Sequence, residues 1–165
     1  MGGTAPADLG EQEHSRLLVL RLAGRDVALP IEVVSEMIRM VALTPLPDVP
    51  AWLCGVLNLR GVVVPVVDLR ARLGLPTSPP HLNTPISIVH AGDRLVGLLA
   101  DEAVEIVNPS PNELSPAAEI GGSDHPVVAI AELGGGLLPV VDVEKICTGT
   151  EDLVLPDADE LLHAP

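Results

Sequence analysis

Gly55-Val-Leu-Asn-Leu-Arg-Gly-Val-Val-Val-Pro-Val-Val-Asp-Leu-Arg-Ala-Arg-Leu-Gly-Leu75 is the stretch whose reading decides the fold. Two strand-forming runs flank Arg60-Gly61, where glycine's tolerance of positive φ suits a tight turn. After Val67 the pattern changes. Asp68 is a good helix N-cap, Leu69 and Leu73 give a short helix one apolar face, and Gly74 stands where a C-cap glycine belongs. The stretch therefore reads as strand, turn, strand and one or two helical turns.

The same unit recurs 74 residues on. Ile130-Ala-Glu-Leu133 answers Val56 to Leu59, Gly134-Gly-Gly136 answers Arg60 to Val62, and Leu138-Pro-Val-Val-Asp-Val143 answers Val64 to Leu69. Asp142 again stands as an N-cap, with Gly149 just beyond the second helix. At an offset of 69, Glu105-Ile-Val107 answers Glu36-Met-Ile38. Two copies of one β-rich unit of about 70 residues follow, with no shorter period of the solenoid kind.

In Gly-Val-x-Asn-Leu-Arg-Gly, then Val-Pro-Val-Val-Asp-Leu-Arg and Leu-Gly, residues 55–75 resemble the signature of the CheW-like domain family. The resemblance extends over residues 15–149. It implies an all-β fold of two small five-stranded, SH3-like β-barrel subdomains with short helices, roughly 15–80 and 81–149, able to exchange terminal strands. It further implies a non-enzymatic chemotaxis adaptor, cytoplasmic and recruited to membrane chemoreceptor arrays. Such an adaptor couples the cytoplasmic tips of methyl-accepting chemoreceptors to the regulatory domain of a CheA-type histidine kinase. The same scaffold in pilus motility or gene control is the near alternative; a small-molecule-binding or hydrolytic β-barrel is the distant one. Arg60 matches the family's signature arginine, and Glu36 the carboxylate with which it pairs. Val34 and Gly55 match positions bordering the receptor-binding groove, and Asn58 joins them as partner-binding or interface-shaping. The missing Phe and Tyr, the glycine-rich second signature and the acidic C-terminal stretch depart from the pattern.

Read without the resemblance, the same positions have plainer roles: Val34 in the core, Gly55 a strand glycine, Arg60 a surface charge at a turn. Trp52, the one aromatic residue, reads as a core plug or an interface anchor.

The 165 residues, 47% of them hydrophobic, suffice for one domain or two intimate subdomains with an aliphatic core. Seventeen prolines and fifteen glycines imply many turns and short elements. The formal charge of −14 is uneven: residues 1–14 hold three acids and no base, and 150–165 hold five, so both ends read as tails, the first disordered and the second acidic and solvated. No basic cluster is present to neutralise phosphate, which argues against nucleic acid. No signal peptide or membrane-spanning run is read in the chain. Cys54 and Cys147 have no ligand-like spacing and read as free buried thiols.

Along the chain, strands are expected at 16–22, 27–29, 36–41, 86–90 and 94–99, with short helices at 31–34 and 101–104 and a strand around 105–107. Residues 44–50 read as an extended proline-rich connector, 76–84 as a link, and 108–126 as irregular; one helical turn from Asp157 is conceivable. Catalytic chemistry finds no support: the five histidines are dispersed, no metal ligand set is spaced as one, Ser15, Ser35 and Ser87 lack a nucleophile context, and Gly134-Gly-Gly136 leads into a strand rather than a helix. No cofactor is expected.

Overall fold

The computed structural model describes residues 16–117 and 125–162; the expected disordered segment 1–14 lies outside them. Among the described residues eleven strands form two sheets. β1 (Leu17–Leu22), β2 (Arg25–Pro30), β8 (Glu102–Val107), β9 (Leu114–Pro116), β10 (Val127–Leu133) and β11 (Gly136–Val141) make a six-stranded sheet ordered β8-β1-β2-β11-β10-β9. β3 (Val34–Arg39), β4 (Leu53–Leu59), β5 (Val62–Asp68), β6 (Pro85–Ala91) and β7 (Arg94–Leu99) make a five-stranded sheet ordered β3-β6-β7-β5-β4. Each sheet takes strands from both halves of the chain. The α-helices are short: α1 (Leu69–Arg72), α2 (Val143–Ile146) and α3 (Ala158–Leu162).

The sequence repeat is a structural repeat, residue for residue. At the offset of 69, Leu17 pairs with Pro30 as Ile86 pairs with Leu99. At the offset of 74, Leu57 faces Val64 as Ala131 faces Leu138. Irregularities recur too: a register break between Leu53 and Gly55 returns between Val127 and Ala129. Helix caps repeat, with Asp68 accepting from Arg70 N–H and Asp142 from Glu144 N–H. The hairpins at Ala23–Gly24, Arg60–Gly61 and Gly134–Gly135 place both central residues at positive φ, as the turn type that matches strand twist requires.

Alternation on the strands distributes side chains among three cores. Odd residues of β1, Leu17 and Val19, join Ala28, Ala131 and Val140 inside the six-stranded sheet. Leu57, Val64, Val66, Ile86, Ile88 and Leu99 fill the five-stranded one. Even residues of β1, Leu18, Leu20 and Leu22, meet Val89, Val96 and Leu98 in a central cluster between the sheets. This explains why β1 and β6 are apolar on both faces, where an ordinary half-exposed strand would alternate. Val107 of β8 and Leu114 of β9 pack on one cluster, so the six-stranded sheet curls until its edges approach.

Four expectations change. Residues 101–104 are not helical: β8 begins at Glu102 and pairs with β1. Pro30, which opens the 3₁₀ turn Ile31–Val33, is answered by Leu99, where β7 ends and only Ala100 and Asp101 precede β8. β3 begins at Val34 rather than Glu36. Within the stretch read as irregular, residues 111–113 form a 3₁₀ turn and β9 adds a sixth strand beside β10, where the five-stranded sheet has only the Thr44–Val56 bridge. The C-terminal stretch is not solvated throughout: Thr150 is buried, Leu153 packs on the central cluster and α3 lies against β4.

Candidate functional site

The Arg60–Gly61 turn brings three of the sequence-derived residues together. Arg60 ion-pairs with Glu36, and the Asn58 side-chain carbonyl accepts from Gly61 N–H at 2.7 Å. Glu36 shares its strand parity with Ile38, which packs on the core of the five-stranded sheet, so its carboxylate stands at the end of that barrel. β3 and β4 are the opposite edges of this sheet. The pair therefore spans the gap between edges and closes one end of the barrel with a charge contact. Its side chains are 70% and 31% exposed, which leaves the guanidinium open to a partner.

Arg60 adopts φ +52°, left-handed backbone that costs a non-glycine residue about 1–2 kcal/mol. Gly134 occupies the equivalent place at φ +57° without that cost.

Val34 and Gly55 sit apart from this group. Val34 is half-buried, opposite Val89, and packs on the central cluster. Gly55 is buried at φ +144°, and a Cβ there would stand 2.6 Å from the Thr44 carbonyl oxygen. Its place is structural: the missing side chain lets the proline-rich connector cross β4, where Thr44 and Val56 exchange backbone hydrogen bonds of 2.8 and 2.9 Å. Trp52 is half-buried against the central cluster and stacks on Arg72, 5.0 Å from ring centroid to guanidinium.

Two arginines to which the sequence reading gave no partner hold the sheets together. Arg70 is buried at 4% exposure and hydrogen-bonds Asp68, Ser78 and Asp101, while Arg72 reaches the end of α2. Burial opposes the Arg70 charge, but Asp68 and then Asp101 outweigh it and hold its pKa above the ordinary value. The available signal was an acid and an arginine two residues apart, Asp68-Leu-Arg70, directly after the apolar run Val62 to Val67.

The thiols are poor nucleophiles. Burial pushes Cys147 up to about 12 and Cys54 up to about 11, so neither supplies thiolate near neutrality. Among the described residues no group of three or more His, Cys, Asp or Glu could hold a metal ion. An open cleft beside Arg94, Asp142 and Lys145 carries both charge signs, and Arg94 already donates to Thr150 Oγ1 at 2.8 Å. Among the described residues no helix is long and apolar enough to cross a membrane. What the arrangement offers is shaped, charged surface.

Comparison with known proteins agrees. Residues 16–151 match the CheW-like domain. The chain is 35% identical over 104 residues to the chemotaxis protein CheW of Rhizobium meliloti (strain 1021), covering 63% of this chain and 67% of that protein. To the chemotaxis protein CheW of Bacillus subtilis (strain 168) it is 35% identical over 116 residues, 70% and 72% of the two chains. The scaffolding protein TtCheW from Thermoanaerobacter tengcongensis has the same fold, with a TM-score of 0.77 over 86% of this chain and 98% of that one at 24% identity. With matching motif, repeat and fold, the chain belongs to the CheW-like domain family of chemotaxis adaptor and scaffold proteins.

Proposed function

We propose that the chain is a non-enzymatic adaptor that couples the cytoplasmic tips of membrane chemoreceptors to the regulatory domain of a CheA-type histidine kinase, and is recruited with them to the array. The observation that carries this reading is the exposed Arg60–Glu36 pair on the five-stranded sheet, held at a backbone cost that the second repeat avoids with Gly134. A receptor tip docks on the side that Glu36, Asn58 and Arg60 present, with Val34 and Gly55 shaping that side from within the fold. The kinase domain, of like fold, docks barrel against barrel elsewhere. Signal transfer is then a difference in contact free energy between kinase-on and kinase-off assemblies.

Calorimetric titration tests it. Full-length protein should bind the purified regulatory domain and a receptor tip independently. Arg60→Ala and Val34→Asp should weaken the receptor about tenfold or more, as loss of a central contact does, and the kinase little. Binding to neither partner sinks the adaptor reading; equal weakening of both removes the two faces.

A further inference from the structure

Helix α1 belongs to the five-stranded sheet through β5, yet both of its arginines bond residues that adjoin strands of the other sheet, Asp101 before β8 and the helix that follows β11. Arg70 Nη1 donates to Asp101 Oδ1 at 2.8 Å, and Nη2 to the Ser78 carbonyl at 2.7 Å. Asp101 in turn accepts from Ala23 N–H at 2.7 Å through its other oxygen and donates its own N–H to the Arg21 carbonyl at 2.9 Å. One carboxylate thus ties α1 to the β1–β2 hairpin of the six-stranded sheet. Two residues on, Arg72 Nε donates to the Ile146 carbonyl at 2.9 Å and Nη2 to the Lys145 carbonyl at 3.3 Å, at the C-terminal end of α2. The equivalents of Arg70 and Arg72 in the second repeat are Glu144 and Ile146, so α2 does not reciprocate.

The cluster between the sheets is aliphatic apart from Cys147. Its burial drives the sheets together, but apolar burial is non-directional, and aliphatic cores accept repacking. A planar guanidinium with fixed donors does have direction. Two such anchors at separate points leave only the line between them as an axis, and the fixed donor directions together with the apolar contact between the sheets oppose turning about it.

We propose that α1 is a bracket that sets the angle between the two sheets, with Arg70 and Arg72 as its positioning residues. Its functional consequence rests on the adaptor reading: a protein that engages two partners on different faces transmits a change only if those faces keep a fixed relation.

Residual dipolar couplings of backbone amides in the full chain test the bracket without any partner. In the wild type one alignment tensor should fit both sheets. In Arg70→Met/Arg72→Met each sheet should keep its internal couplings while a single tensor no longer fits the two. A double variant that one tensor fits at the wild-type angle overturns the proposal. If Arg70→Met prevents folding, Arg70→Lys with Arg72→Met, which keeps the Arg70 charge but not its fork, gives the same reading. In titrations the variant should hold each separate partner within about twofold of wild type while the effect of one partner on the affinity of the other falls towards none. A wild type that binds neither partner overturns the adaptor reading alone, and the couplings still decide the bracket.

Discussion

The two hairpins at Arg60–Gly61 and Gly134–Gly135 have the same register, the same turn and equivalent bulges upstream, yet only the first carries a cation at its turn. Glu36 meets Arg60; Glu105, its counterpart, faces a repeat with glycine in the arginine's place. The contrast continues down the unit, with Arg70 answered by Glu144 and Arg72 by Ile146. Apolar spacing is thus what the repeats share, and it builds the barrels twice. The arginines at positions 60, 70 and 72 are what they do not share, and these give the molecule one barrel closed by an ion pair and one bracket between the sheets. A duplicated fold becomes two-faced through a handful of arginines.

The sharpest way to break this comparison is at the buried arginine. Arg70→Met strands the Asp68 and Asp101 carboxylates and should cost about 3–5 kcal/mol in urea unfolding, while Glu144→Met, at an exposed position, should change little. Equal effects would mean that Arg70 contributes no more than its counterpart.

Next in size is the glycine at the repeated bulge. Gly55→Ala puts a methyl group 2.6 Å from the Thr44 carbonyl at φ +144°, so thermal unfolding should show a loss of about 1–3 kcal/mol. Its counterpart is already alanine; Ala129→Gly should lose only about 0.5–1 kcal/mol from added chain freedom. A neutral Gly55→Ala would show that the connector does not cross β4 so closely.

The smallest stability effect is expected at the exposed pair. Arg60→Gly loses a contact worth about 0–1 kcal/mol but relieves a left-handed residue, so the net change should lie within about 1 kcal/mol of zero. Gly134→Arg runs the exchange in reverse, adding strain in return for a possible contact with Glu105. A double-mutant cycle of Arg60→Gly with Glu36→Gln gives the coupling directly, and additive single changes would mean the two side chains do not meet in solution.

By itself the sequence determined the all-β class, the two copies and their spacing, the Asp68 and Asp142 caps and the Arg60–Gly61 turn, while the Glu36–Arg60 pairing was implied by the family resemblance alone. These rest on local chemistry, on alternation along single strands, and on a family signature confined to 21 consecutive residues. The tertiary structure decided the rest. Residues 102–104 became strand because β1 offers them a ladder, with Arg21 opposite Glu102 and Leu20 opposite Ala103. Gly55 is required by a connector eleven residues upstream, which no window around the glycine reveals. Arg70 looked like one more charge on a short helix until Ser78, Asp101 and the Ala23 turn closed around it from three separate parts of the chain. Periodicity reports which face of an element is apolar; it carries no information on which distant polar group will stand opposite a buried charge, since that is fixed only when the sheets exchange strands and pack.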